Sequence, residues 1–158
     1  MNFIIREGEK KDMNSVFELI VELAEFEKLP NEVEITVEDL INDGFSETPK
    51  FKTFVALDGD KIIGTALFYE RYSTWKGRVL HLEDLIVTKR KRGSGAGIAL
   101  YKAVLKYGYD FGAKRVVWDV LSWNKNAIDF YENTGATVLE DWQVVHMREK
   151  GLKNFIEE

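Results

Sequence analysis

Apolar residues in this chain recur with two periods, near 3.6 and near 2, and the alternation between them predicts its elements. Residues 3 to 7 read as a short first strand, and residues from about Asp12 to Glu27 as an amphipathic helix with a stripe of Val16, Leu19, Ile20, Leu23 and Phe26. Pro30 ends that element, and Thr36 has the character of an N-cap for a second short helix through Ile41, closed by Gly44. Two strands follow, 51 to 57 and 61 to 69, separated by Asp58, Gly59 and Asp60, a hairpin signal that makes this part of the sheet antiparallel. A turn around Trp75, Lys76 and Gly77 leads to a central strand, 79 to 87. The next helix runs to about Phe111 with Ile98, Tyr101, Val104 and Leu105 inward and Gly112 as its cap.

Residues 115 to 121, RVVWDVL, read as another strand, and its crossover through a helix implies parallel pairing with the central strand. Asn124 to Thr134 forms a further helix ended by Gly135, residues 137 to 148 give the last strands, and a polar tail closes the chain. The expected class is therefore α/β (α+β), with a mixed, mostly antiparallel sheet of about six to seven strands and about four helices.

Composition narrows this picture without changing it. The 158 residues are 45% hydrophobic and 13% aromatic, enough for one core, and no low-complexity stretch divides them, so residues 1–158 are expected to form a single domain. No apolar run suits a signal peptide or a membrane span, and a cytoplasmic protein is expected. Without cysteine there is no disulfide, thiolate metal site or cysteine nucleophile, and His81 and His146 alone offer too little imidazole for a zinc cluster, so no metal is expected. A net charge of −5 argues against nucleic acid as a partner and suits a small cationic molecule.

The stretch with the most chemistry is 79 to 98, VLHLEDLIVTKRKRGSGAGI. Glu83 and Asp84 interrupt an apolar strand, where a buried carboxylate is costly unless a partner compensates. Gly93, Gly95 and Gly97 then allow the backbone between Arg92 and Ile98, including Ser94 and Ala96, to aim successive N–H groups at one anion in front of a helix N-terminus. A Walker loop would need a lysine followed by serine or threonine, and a dinucleotide fingerprint would want GxGxxG after the first strand; neither is present. A plain glycine turn capping a helix is the other reading.

The remaining pattern, [Gln or Arg]xxGx[Gly or Ala], is met by Arg92, Gly95 and Gly97 at a strand-to-helix junction. It resembles the coenzyme A pyrophosphate loop of the GNAT superfamily of N-acetyltransferases. WNKNAIDFYENTGA, residues 123 to 136, is similar to that superfamily's second signature, which places Asn124 and Tyr131 beside acetyl-CoA. STWKGRVLHLEDLIV, residues 73 to 87, resembles the diamine acetyltransferase branch, which comprises the spermidine/spermine enzymes and their thialysine-acetylating relatives. ELAEFEK at 22 to 28, DLINDGF at 39 to 45 and Trp142 extend the similarity through nearly the whole chain. Ser73 and Thr74 stand where the spermidine/spermine enzymes carry an aspartate and a proline, and this looks more like the thialysine type. Glu132 and Asn133 replace a basic pair that family members often carry after the helix tyrosine.

The resemblance implies acetyl-CoA as cosubstrate, held by Leu85, Ile86, Val87, Arg92, Gly93, Ser94, Gly95, Ala96, Gly97, Ile98, Asn124, Ala127 and Tyr131. It implies a small diamine or polyamine-like acceptor held by Phe26, Glu27, Glu83, Asp84, Asp119 and Trp142, a break in the central strand, and a homodimer. An alkylamine is only about one part in a thousand neutral at pH 7, so a base must take its proton, and Glu83, buried in the apolar strand, is the candidate, directly or through a water. Tyr131 is the candidate acid for the departing thiolate, although it also suits a core aromatic at helical spacing with Ala127 and Ile128. Asp84 equally suits an internal ion pair with Arg78 or Arg115. With no cysteine for an acyl-enzyme, transfer is expected to be direct, within a ternary complex. Rival readings are a protein N-terminus, a protein lysine or an aminoglycoside as acceptor, or a non-catalytic acyl-CoA sensor.

Overall fold

The computed structural model describes residues 2–157. The chain divides into two compact units, Met1–Asp119 and Val120–Glu158. The first contains β1 (Ile4–Glu7), α1 (Met13–Phe26), α2 (Val37–Gly44), β2 (Lys52–Asp58), β3 (Lys61–Ser73), β4 (Gly77–Val87), α3 (Ala96–Phe111) and β5 (Val116–Val117). The second contains α4 (Lys125–Asn133) and α5 (Glu149–Ile156).

The sheet has the order β1-β2-β3-β4-β5, antiparallel throughout except for the parallel β4–β5 pair. That is the mixed, mostly antiparallel arrangement the periodicity predicts. Its two faces carry different cores. Val55 and Leu67 pack with Met13, Val16 and Leu40 of α1 and α2. On the opposite face Phe68 and Phe54 meet Tyr107 of α3, with ring centroids 5.0 and 6.3 Å away. Local signals act as expected at α2, where Thr36 accepts from the Asp39 N–H while Asp39 accepts in return from the Thr36 backbone N–H at 2.8 Å. Gly112, in the left-handed conformation with φ 81°, closes α3.

Three expectations need correction. The described residues contain five strands rather than six or seven, because 115 to 121 shrinks to Val116–Val117 and residues 137 to 148 form none. An extended segment becomes a strand only when a neighbour completes its hydrogen bonds, and within the second unit no other strand offers an edge. Five α-helices replace the expected four, since the supposed polar tail forms α5, whose Leu152, Phe155 and Ile156 recur at helical spacing. None of the helices is long and apolar enough to cross a membrane.

Gly64 shows how closely β3 and β4 are fitted to α3. A methyl group there would stand 2.8 Å from the Ile86 carbonyl oxygen and 3.1 Å from Leu100 Cδ1. Because the nearest obstacle is backbone, Gly64→Ala should cost about 2 to 3 kcal/mol and lower the melting temperature by several degrees, as read by thermal denaturation.

Candidate functional site

The geometry starts from an irregularity in β4. In its pairing with β3, Leu82 lies opposite Phe68 and Asp84 opposite Leu67, so Glu83 has no counterpart. This is a β-bulge, the break expected in that strand, and it shifts the phase of side chains on either side of it. Leu80 and Leu82 belong to the α3 side, as Leu80 at Gly108 and Leu82 opposite Phe68 show. Beyond the bulge that side is taken by Val87, whose Cγ2 would stand 3.7 Å from a methyl group placed on Gly97 of α3. Asp84 falls instead on the α1 side, opposite Leu67. Glu83 reaches the same side, where its Oε2 accepts from the Tyr69 phenol at 2.8 Å and lies 3.2 Å from His81 Nε2. Adjacent residues of a regular strand point to opposite faces, and the bulge is what lets two neighbouring carboxylates share one.

Burial is divided between the pair contrary to expectation. The Glu83 side chain is 49% exposed, and the carboxyl removed from water is that of Asp84. Desolvation, followed by the charges of Glu83 and Glu27, pushes Asp84 up to about 7. Glu27, at the C-terminal end of α1, is itself raised by burial. These three carboxyls form one electrostatic group. Neither Arg78 nor Arg115 pairs with Asp84: Arg78 lies over the Phe111 ring at 3.6 Å, and Arg115 donates to Ser73 Oγ at 3.3 Å. Ser73 Oγ also accepts from the N–H groups of Trp75 and Lys76, so the hydroxyl organises the β3–β4 turn.

The glycine turn follows directly after β4. Gly93 and Gly95 have φ of 78° and 87°, a left-handed conformation that side chains rarely adopt, and both positions are open enough to need glycine for backbone reasons alone. Ala96 N–H is taken by Ser94 Oγ at 3.3 Å, and the first helical bond runs from Ala99 N–H to Gly95 O. The N–H groups of Gly93, Gly95, Gly97 and Ile98 have no partner among the described residues. Four free donors at the start of a 16-residue helix fit a polyanion such as a pyrophosphate. The basic run before them is partly committed: Lys91 bonds Asp58 at 2.6 Å, and Arg92 donates from Nε to Val87 O at 3.2 Å while its guanidinium lies 5.0 Å from the Phe26 ring. Phe26 thus sits beside the turn, one residue before Glu27.

The β4 edge is also free on one side. Among the described residues only Leu80 and His81 have partners on β5, so the backbone of Leu85 and Ile86 is paired with β3 alone, while the Val87 carbonyl also accepts from Arg92 Nε. Asp119 closes the first unit and bears on Tyr69 electrostatically. In the second unit, Asn124 is the N-cap of α4, its side chain accepting from the Ala127 N–H at 3.4 Å, so two of the expected coenzyme contacts are also joined by a local cap. Tyr131 lies one turn further on, partly buried, its ring 5.4 Å from Phe130. Trp142, in the strandless segment, is 68% exposed. Tyr69 is the candidate-site residue that periodicity passed over, and His81 entered the sequence reading only as imidazole too scarce for a zinc cluster. The spacing of His81 and Glu83 by two was the available signal, but Tyr69 joins them only through the hairpin register.

Comparison with known proteins adds independent weight. Residues 14–136 match the acetyltransferase (GNAT) family. The thialysine N-epsilon-acetyltransferase of Bos taurus is 38% identical over 161 residues, covering 95% of each chain. The spermidine/spermine N(1)-acetyltransferase-like protein 1 of Homo sapiens is 31% identical over 160 residues, which span 95% of this chain and 23% of that protein. Among solved structures, an integron cassette protein from the mobile metagenome of V. cholerae shares the fold with a TM-score of 0.82 at 23% identity, covering 100% of this chain and 99% of the other. From the bulged strand and glycine turn to the signature around Tyr131, the chain is that of an acetyl-transferring enzyme and belongs to the GNAT family, in its diamine acetyltransferase branch.

Proposed function

We propose that this protein transfers an acetyl group from acetyl-CoA to a nitrogen of a small amine carrying a second positive charge, of the thialysine or diamine type, with residues 1–158 acting as one catalytic domain. The observation that carries the reading is the grouping of Glu27, Glu83 and Asp84, in which each carboxyl makes the ionisation of Asp84 harder. A compact dication relieves that repulsion where a neutral or anionic acceptor would add to it. Relatives named for thialysine and ornithine acetylation support the same substrate class. The alternative protein and aminoglycoside acceptors gain no comparable support.

Acetyl-CoA supplies an activated thioester carbonyl, and its pyrophosphate suits the free N–H groups of Gly93, Gly95, Gly97 and Ile98, with Arg92 and Ser94 at the rim. Leu85, Ile86 and Val87 offer backbone along the unpaired β4 edge, and Asn124 and Ala127 complete the coenzyme contacts. Glu83 takes the proton of the attacking ammonium, directly or through a water. The amine nitrogen then bonds the carbonyl carbon as the carbon–sulfur bond breaks, the Tyr131 phenol gives its proton to the departing sulfur, the extra proton on the acylated nitrogen restores the phenol, and Glu83 releases its own proton to solvent. Asp84 and Glu27 hold the second cationic group, with Phe26, Asp119 and Trp142 bounding the acceptor. Both substrates are bound together, since the chain has no cysteine to carry the acyl group. A cytoplasmic setting fits a cysteine-free chain. A homodimer fits the exposed Trp142, Val144 and Val145 of the second unit.

Coenzyme A release measured with thialysine, lysine, ornithine, putrescine, spermidine and spermine should show turnover with the short diamines and amino-acid amines. Glu83→Gln should lower kcat by about 10² to 10⁴ and Tyr131→Phe by about tenfold or more, with little change in KM for acetyl-CoA. Parental turnover in both variants would remove the assigned roles. Light scattering should give twice the 18.3 kDa chain mass.

A pH experiment isolates Asp84. Its folded-state carboxyl titrates near 7 against 3.8 when unperturbed, so the stability it contributes is complete below about pH 4 and is lost as pH rises through 7. Asp84→Asn, always neutral, should become more stable than the parent above pH 4, by up to a few kcal/mol, with the gap levelling off above pH 7. A saturating diamine should raise the melting temperature of the parent at pH 8 and leave that of Asp84→Asn nearly unchanged.

A further inference from the structure

The Glu83 carboxylate is held asymmetrically. Oε2 receives the Tyr69 O–H at 2.8 Å and faces His81 Nε2 at 3.2 Å, while Oε1 has no partner among the described residues. Tyr69 and His81 lie directly opposite one another across β3 and β4, and their rings are stacked with centroids 5.1 Å apart and planes inclined by 29°. Tyr69 packs on the core formed by Met13, Val16, Leu40, Val55 and Leu67, so its phenol is held from below. The His81 side chain is only 12% exposed, and its Nδ1 is buried with no hydrogen-bond partner.

The imidazole contributes by position: its Nε2 stands 3.2 Å from Glu83 Oε2, while the hydrogen bond to that oxygen comes from the Tyr69 phenol. Burial and the bond to Glu83 push the Tyr69 phenol up to about 12, which keeps its hydrogen in place through the neutral range. The other charged groups around the pair are Arg71 and Asp119 beside Tyr69, and Asp84 and Glu27 beyond Glu83.

We propose that Tyr69 and His81 are positioning residues: the Tyr69 phenol donates to Glu83 Oε2, the His81 ring stacked on it holds that phenol in place, and Oε1 is left as the oxygen that accepts the substrate's proton. The inference rests on the assignment of Glu83 as the base. A carboxylate fixed on one oxygen presents the other at a constant angle to the amine, and a proton acceptor left to swing loses that alignment for part of the time.

Tyr69→Phe removes a single oxygen, and His81→Leu removes the ring stacked on that phenol. Each should lower kcat by about ten- to a hundredfold, with KM for acetyl-CoA unchanged. His81→Phe, which keeps a stacked ring, should recover most of the loss. The decisive comparison repeats Tyr69→Phe and His81→Leu in a Glu83→Gln background, with coenzyme A release followed at enzyme concentrations comparable to substrate. If the pair acts through Glu83, neither change should slow the reaction further there. Equal losses in both backgrounds, unimpaired turnover in the two single variants, or no recovery in His81→Phe would overturn the positioning role while leaving Glu83 as the base. Parental turnover in Glu83→Gln alone would instead overturn the base assignment. Should His81→Leu fail to fold, Tyr69→Phe and His81→Phe carry the same comparison.

Discussion

The one-residue bulge at Glu83 is the constraint on which the site depends. A regular strand would carry Asp84 with Leu80 and Leu82 towards α3, into the apolar layer of Phe68, and leave Glu83 with His81 on the α1 side. Burying an unpaired carboxylate in that layer would cost several kcal/mol. The extra residue keeps the α3 face of β4 apolar and gathers the charges on the α1 side. The penalty that remains falls chiefly on Asp84, where burial and the charges of Glu83 and Glu27 all oppose ionisation, and in part on Glu27.

The bulge also explains why β4 can be both a core strand and a working surface. Along its β3 side the ladder continues to Val87, and Gly64 allows the close approach of the Ile86 carbonyl. Along the other side, pairing with β5 stops at His81. The strand is therefore anchored by one neighbour while several of its backbone groups stay available, and it ends in a turn whose own N–H groups are also unspent.

Much of this was legible in the residues. Thr36 and Asp39 announced a helix start, Asp58-Gly59-Asp60 a hairpin, and Gly93, Gly95 and Gly97 a turn with left-handed positions, because each depends on local backbone preferences. What depends on register was not legible. The carboxylate expected to be buried was Glu83, whereas the bulge buries its neighbour, and the link from Tyr69 to Glu83 crosses two strands. The segment 137 to 148 has strand-like composition, but composition does not supply a partner edge, and Val144 and Val145 stand exposed.

The segment leading into the glycine turn is tied down at five points. Thr88 N–H reaches Ile63 O at 2.9 Å, Lys89 N–H reaches Glu22 Oε1 at 2.7 Å, Lys91 pairs with Asp58, and Arg92 is held by Val87 O and by the Phe26 ring. The anchors come from α1, from the β2–β3 hairpin and from β4 itself. A loop secured this way gives up its conformational freedom when the chain folds, so a ligand arriving at its amides has little disorder left to remove. Affinity at such a cradle is set by how well the anion fits a frame already in place, and the entropy of shaping that frame is charged to folding.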